Sequence, residues 1–117
     1  MTIEQLIDAL KTQNKSIEFE RVISLIDEIY DYRPTKFNNG VGCDVVVNDA
    51  GTNEGSCKVF AFASLHKLNQ EETLRCFAQH YASVLAEPEG TAHANIRNFM
   101  KYGWAGIVFE RAPLAPK

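Results

Sequence analysis

The sequence predicts a mainly α-helical single domain over residues 1–117: about five helices round one buried central helix, with a minor β element that could form a two-stranded sheet. Three observations carry this. Residues 55–68 are apolar without a polar side: Phe60 and Phe62 point to nearly opposite faces, and Cys57, Ala61, Leu65 and Leu68 form a third stripe. A helix that is apolar all round is an enclosed helix. Around it stand amphipathic runs with helical spacing and recognisable starts. The third observation is length: 117 residues suit one domain and bury enough surface for a single core without staples.

Taken in order, Thr2 and Gln5 have the spacing of a capping box, and Ile3, Leu6, Ile7 and Leu10 make the first stripe, which should end near Gln13-Asn14. Ser16 is the next N-cap candidate. Phe19, Val22, Ile23, Ile26, Ile29 and Tyr30 form the second stripe, which must stop by Arg33 because Pro34 follows. The short link predicts an antiparallel helical hairpin. Asn38-Asn39-Gly40 is turn chemistry, and Val45-Val46-Val47 has strand propensity over a short run. The polar residues 48–53 read as a loop, with Thr52 or Asn53 capping the buried helix. Asn69 and Glu72 start another helix, whose face is Leu74, Phe77, Ala78, Tyr81, Val84 and Leu85 and which ends at Glu87-Pro88-Glu89-Gly90. A last helix spans 93–102, with Gly103 as its C-terminal left-handed residue. Residues 104–109 look extended, and pairing 35–39 with 107–111 would give the small sheet. Pro113 and Pro116 should close the chain without further structure.

Apolar and charged contents of 45% and 23% are those of an ordinary soluble globule. The net charge is −3 with scattered basic residues, which argues against a nucleic-acid-binding face. No apolar run reaches membrane-spanning length, and the first residues contain no signal-peptide core. Cys43, Cys57 and Cys76 are odd in number and widely spaced, as in reduced thiols, so the expected location is the cytoplasm.

Phe37-Asn38-Asn39-Gly40, then Asn48, then Gly51-Thr52-Asn53-Glu54-Gly55-Ser56-Cys57-Lys58 resemble the HopJ (HopPmaJ) type III effector family. So do His93-x-Asn95-Ile96-Arg97-x-Phe99-Met100 and Gly103-Trp104-x-Gly106-Ile107. The motifs run in the family's order, and the resemblance covers nearly the whole chain. It implies a bacterial protein delivered into a host cell, and it implies no particular reaction. Type III secretion signals tend to be Ser-rich and unfolded, whereas this chain opens on a capped helix at Thr2.

The residues able to carry chemistry are few. Cys57 falls in the first turn of the buried helix, where the dipole favours a thiolate, and Gly-Ser-Cys resembles the turn that presents the nucleophile in papain-like enzymes. A base would have to be His66, His80 or His93, and His93 at a helix start is the candidate. Against this, a free cysteine usually behaves as a small core hydrophobe. Glu54 is an acid–base candidate, but a structural pairing with Arg97 accounts for it better, with Asn53 and Asn95 nearby. Cys76 and His80 have the i, i+4 spacing of metal ligands but no second pair, and Cys76 should lie on the polar side of its helix. Asp44, Asn48, Asp49 and Asn53 lack a calcium-loop pattern, and the glycines near residue 51 match no phosphate-loop fingerprint. No metal or cofactor is expected.

Two functional classes follow. In the first, the chain is a small interaction module without catalysis, and its motif residues seat the central helix. In the second, it is a small-molecule-binding protein or weak cysteine-dependent hydrolase, with a site between the 48–57 loop and the helix start at 93–97. A cleft lined by Asn53, Glu54, Cys57, His93 and Arg97 would favour the second; a filled surface there would favour the first.

Overall fold

The computed structural model describes residues 2–12 and 17–117. Helix α1 (Ile3–Lys11) begins at the expected capping box: the Gln5 amide donates to Thr2 Oγ1 at 3.1 Å and the Thr2 amide to Gln5 Oε1 at 2.9 Å. The expected helix end at Gln13-Asn14 and the Ser16 cap lie outside the described residues. Helix α2 (Phe19–Ile29) stops earlier than Pro34 requires, because strand β1 (Tyr30–Tyr32) follows directly. Strand β2 (Phe37–Asn39), a single 3-10 turn at Gly42–Asp44 and strand β3 (Val46–Asn48) make a hairpin. Then come the central helix α3 (Glu54–Leu65), α4 (Gln70–Arg75), α5 (Gln79–Ala86) and α6 (Ala94–Tyr102). A 3-10 turn at Gly103–Gly106, β4 (Ile107–Phe109) and β5 (Leu114–Pro116) complete the chain.

The mainly α fold with a minor β element is as the sequence indicates. The central helix is enclosed, and Phe60 and Phe62 do serve different sides of the core. Phe60 meets Phe37, Phe77, Phe99 and Trp104, while Phe62 meets Tyr30 and His66. Ala61 is buried between them. Helices α2 and α4 and strand β5 press on α3. At the end of α3 the enclosure fails: Leu65 is 53% exposed, and Leu68 is buried only after the chain has left the helix.

Several expectations need correcting. The described residues form six α-helices, because the run expected as one helix over 69–86 is broken between Arg75 and Gln79, where Ala78 takes φ 51° and ψ −118°. Neighbours on one helix lie about 100° apart. The break lets Cys76 and Phe77 both face the core, leaves Cys76 fully buried rather than on a polar side, and turns Leu85 outward. Among the described residues helix α1 lies against α4 and α2 mainly against α3, and the link of the expected helical hairpin lies outside them.

The β element is also larger than expected. Pairing of β2 with β4 matches Phe37 to Phe109, Asn38 to Val108 and Asn39 to Ile107. Strand β3 adds a third strand on the other side, in the order β3-β2-β4. Residues 104–106, expected as extended chain, belong to the 3-10 turn Gly103–Gly106 instead. The C-terminal prolines do not close an irregular tail: β5 pairs antiparallel with β1, Tyr30 opposite Pro116 and Tyr32 opposite Leu114. Pro116 is compatible with a two-stranded edge because no second neighbour needs its missing N–H.

Candidate functional site

The starts of α3 and α6 are adjacent, and asparagine side chains join them. Strand periodicity puts Phe37 and Asn39 on the inner face of β2, opposite Asn48 and Val46 of β3. Asn39 and Asn48 are therefore buried, at 0% and 1% exposure, and Asn95 of α6 closes over them at 6%. Asn39 Nδ2 donates to Asn95 O at 2.8 Å and to Asn95 Oδ1 at 3.0 Å. Asn48 Nδ2 donates to Asn95 Oδ1 at 3.1 Å, and Asn95 Nδ2 returns a bond to Asn48 Oδ1 at 2.8 Å. Asn53 Nδ2 reaches the same Asn48 oxygen at 2.7 Å. Asn98, one turn along α6, donates to the carbonyls of Asn39 and Asp44 at 2.9 and 2.8 Å. A buried polar group is costly unless bonded, so this network fixes one register between hairpin and helices.

The expected cap of α3 takes another form. Asn53 is at the N-cap position but in the left-handed region, φ 49° and ψ 45°, and its side chain turns back to Asn48 instead of onto the helix amides. Thr52 Oγ1 donates to Asp49 O at 2.7 Å, closing the loop upstream. His93 is likewise left-handed, φ 59° and ψ 52°, at the start of α6.

The expected Glu54–Arg97 contact is not made. Arg97 Nε donates to Ala92 O at 2.6 Å and Nη1 to Glu87 O at 2.9 Å, tying down the loop between α5 and α6. Glu54 lies instead on the side of α3 that faces β1, beside Tyr32. Burial first, then the neighbouring Cys57 and Glu54, holds the Tyr32 hydroxyl well above its usual pKa. That hydroxyl is buried and has no partner of hydrogen-bond geometry among the described residues. Lys58 covers the Tyr32 ring with Nζ 4.8 Å from its centroid and pairs with Asp27 at 2.8 Å.

Cys57 is 1% exposed, and its thiol points to Thr35 O at 3.8 Å. Burial raises its pKa, and the Glu54 charge adds to that rise. The helix dipole is therefore outweighed, and the thiol is held protonated. His93 is exposed, with its ring against His80, 5.1 Å between centroids. Cys76 is pushed up to about 12 by burial and then by Glu72, and its thiol points to Glu72 O. No group of three or more metal-ligating side chains occurs among the described residues.

The structure thus gathers Asn53 and Asn95 at one node, and puts Glu54 and Cys57 on another side of α3 and Arg97 in a loop clamp. Two cavities, of about 800 and 560 Å³, are lined by other residues. The first lies between α1, α4 and α5, with Leu10, Arg75 and Tyr81 in its wall; the second runs along β4 from Leu65 to Pro113. Sequence reasoning missed Asn39 and Asn48 as site residues. The signal was the period of two: once Phe37 is inward, so is Asn39.

Comparisons with known proteins bear on the family and the fold. No curated protein matches the chain. The crystal structure of VPA0580, a protein of unknown function, superposes with a TM-score of 0.92 at 46% identity, covering 100% of this chain and 95% of that one. The model of the family described as HopJ type III effector protein matches residues 3–114. The chain belongs to the HopJ type III effector protein family.

Proposed function

We propose that this protein is an effector-like interaction module without catalysis of its own, and that it binds a protein partner across the outer face of the β3-β2-β4 sheet. The observation that carries the reading is one cross-strand row. Val47, Asn38 and Val108 are paired in register and share the outer face. Val47 and Val108 are 53% and 59% exposed, and Val108 lines the same groove as Leu65. Between the valines, Asn38 is half-buried, with its Oδ1 shielded from solvent. Exposed aliphatic side chains on a sheet face, continuous with a groove, suit a protein surface that brings apolar contacts. The family description favours a host-cell protein as that partner. No helix among the described residues is long and apolar enough to cross a membrane.

The cysteine-hydrolase alternative draws no support from the site. The Cys57 thiol is buried and held neutral, and the candidate base His93 is engaged with His80. The test is photo-crosslinking from position 108, with position 28 on exposed α2 as control. The expected result is a discrete adduct from 108 that excess unlabelled wild type competes away. The Val47→Lys, Val108→Lys double variant, folded by circular dichroism, should fail to compete. Equal competition by that variant would overturn the assignment of the surface.

A further inference from the structure

Asn39-Gly40 is the one Asn-Gly step in the chain. In such a step the glycine nitrogen can attack the asparagine side-chain carbon with little hindrance, because glycine has no Cβ. The N–Cγ bond forms and the Cγ–Nδ2 bond breaks. The Gly40 amide proton leaves with the amine as ammonia, and a five-membered imide remains. Water then opens the imide to aspartate or isoaspartate, and no other reactant is needed.

The native fold opposes each stage. The nucleophile is the deprotonated Gly40 amide, and in the structure that N–H is committed to Gly106 O at 3.0 Å. The leaving amide nitrogen is held by two bonds to Asn95, at 2.8 and 3.0 Å. The Asn39 side chain is 0% exposed, so the hydrolytic water has no direct access. Gly106 lets β4 close over the step: a Cβ there would meet Gly40 N at 2.8 Å and Gly40 Cα at 3.0 Å.

We propose that Asn39 is a modification site gated by the fold: locked in the native protein, converted through the imide when β2 and β4 part, and unable to return. The irreversibility comes from the network. Asn39 Nδ2 donates to two oxygens of Asn95, and Asn39 Oδ1 has no donor facing it among the described residues. A carboxylate at this position would face two acceptors and no donor, a buried unpaired charge. Isoaspartate would in addition lengthen the backbone within β2 by one carbon. Each opening long enough for cyclisation would thus remove molecules from the refolding population.

The test is peptide mass spectrometry of the protein aged in mildly alkaline buffer, native and in denaturing urea. It reads the one-dalton gain at Asn39 together with isoaspartate methylation. The urea-unfolded chain should convert at least tenfold faster than the native one, and converted molecules should fail to regain the native circular dichroism spectrum when urea is removed. Sub-denaturing urea should raise the rate in step with the opened fraction, which keeps the test open even if a loosening variant such as Gly106→Ala does not fold. Native protein converting at the unfolded rate would overturn the gate. An Asn39→Asp chain with the wild-type melting temperature would overturn the irreversibility.

Discussion

Asn48 is the node through which the two helix starts communicate, and its removal gives the most direct measure of the asparagine network. Asn48→Ala deletes three short bonds: from Asn53 at 2.7 Å, from Asn95 at 2.8 Å and to Asn95 at 3.1 Å. Each is worth about 1 kcal/mol net. The partners are affected unequally. Asn53 is exposed and can turn to water, whereas Asn95 Nδ2 is buried with Asn48 as its one side-chain acceptor and would be orphaned, at a further cost of about 1–3 kcal/mol. Together the loss is about 4 kcal/mol, a large fraction of the roughly 5–15 kcal/mol that holds a domain folded. The measurement is urea unfolding followed by the fluorescence of the single tryptophan, Trp104. The near-isosteric Asn48→Asp gives an independent signature. An aspartate there would present a second acceptor to Asn95 Oδ1, so burial would raise its folded pKa above the unfolded value near 3.9. The unfolded chain then loses its proton first, and the penalty is absent in acid and grows as pH rises through about 4. Asn48→Ala losing less than about 1 kcal/mol, or Asn48→Asp showing no recovery in acid, would refute the idea that this network fixes the register.

Three further outcomes follow from named contacts. Alkylation of the native protein near neutral pH should label Cys43, which is exposed, and spare Cys57 and Cys76, whose thiols are buried with raised pKa values; rapid labelling of Cys57 would revive a nucleophile. Ala78→Gly should stabilise by about 1 kcal/mol, since φ 51° with ψ −118° strains an alanine and suits a glycine, and a lower melting temperature would count against strain at this break. His66 lies 2.7 Å from the Tyr30 hydroxyl and burial lowers its pKa below 6.5, so the unfolded state takes up its proton first and stability should fall as pH drops from about 6.5. His66→Gln should flatten that part of the stability–pH curve, and an unchanged slope would remove His66 as its source.

The parts of the fold that were legible in the sequence share one property: a strong signal within a few residues. The Thr2–Gln5 and Asn69–Glu72 capping boxes both form, and the all-round apolar run became the enclosed helix. What was not legible depends on distant partners. Nothing local in Tyr30-Asp31-Tyr32 announces a strand; it exists because Leu114-Ala115-Pro116 arrives to pair with it. The break at Ala78 contradicts the alanine's own preference and is imposed by burying Cys76 and Phe77 together. At the candidate site the same limit applied. Proximity of the two helix starts was legible, but not that two intervening strand asparagines would mediate it while Arg97 turned to the carbonyls of its own loop.

Most of the family-specific string is occupied by construction of the fold. Gly51 takes φ 87°, and Thr52 closes the turn onto Asp49. Asn53 ties the helix start to Asn48. Gly55 must lack a Cβ, because one would come within 2.8 Å of the Phe19 ring. Cys57 packs under Thr35, and Lys58 bridges Asp27 and the Tyr32 ring. A motif most of whose members have such a duty identifies a fold without identifying an activity. Function is then better sought among residues that the fold does not require. Val47 and Val108 fit that description: they stand outside the core on a three-stranded sheet that would be more soluble with threonine or lysine in their place. Replacing them should leave stability within about 0.5 kcal/mol of wild type, as for surface sites without structural duties. A substantially larger loss in urea unfolding would show that these valines, too, belong to the scaffold, and would move the search for the partner surface elsewhere.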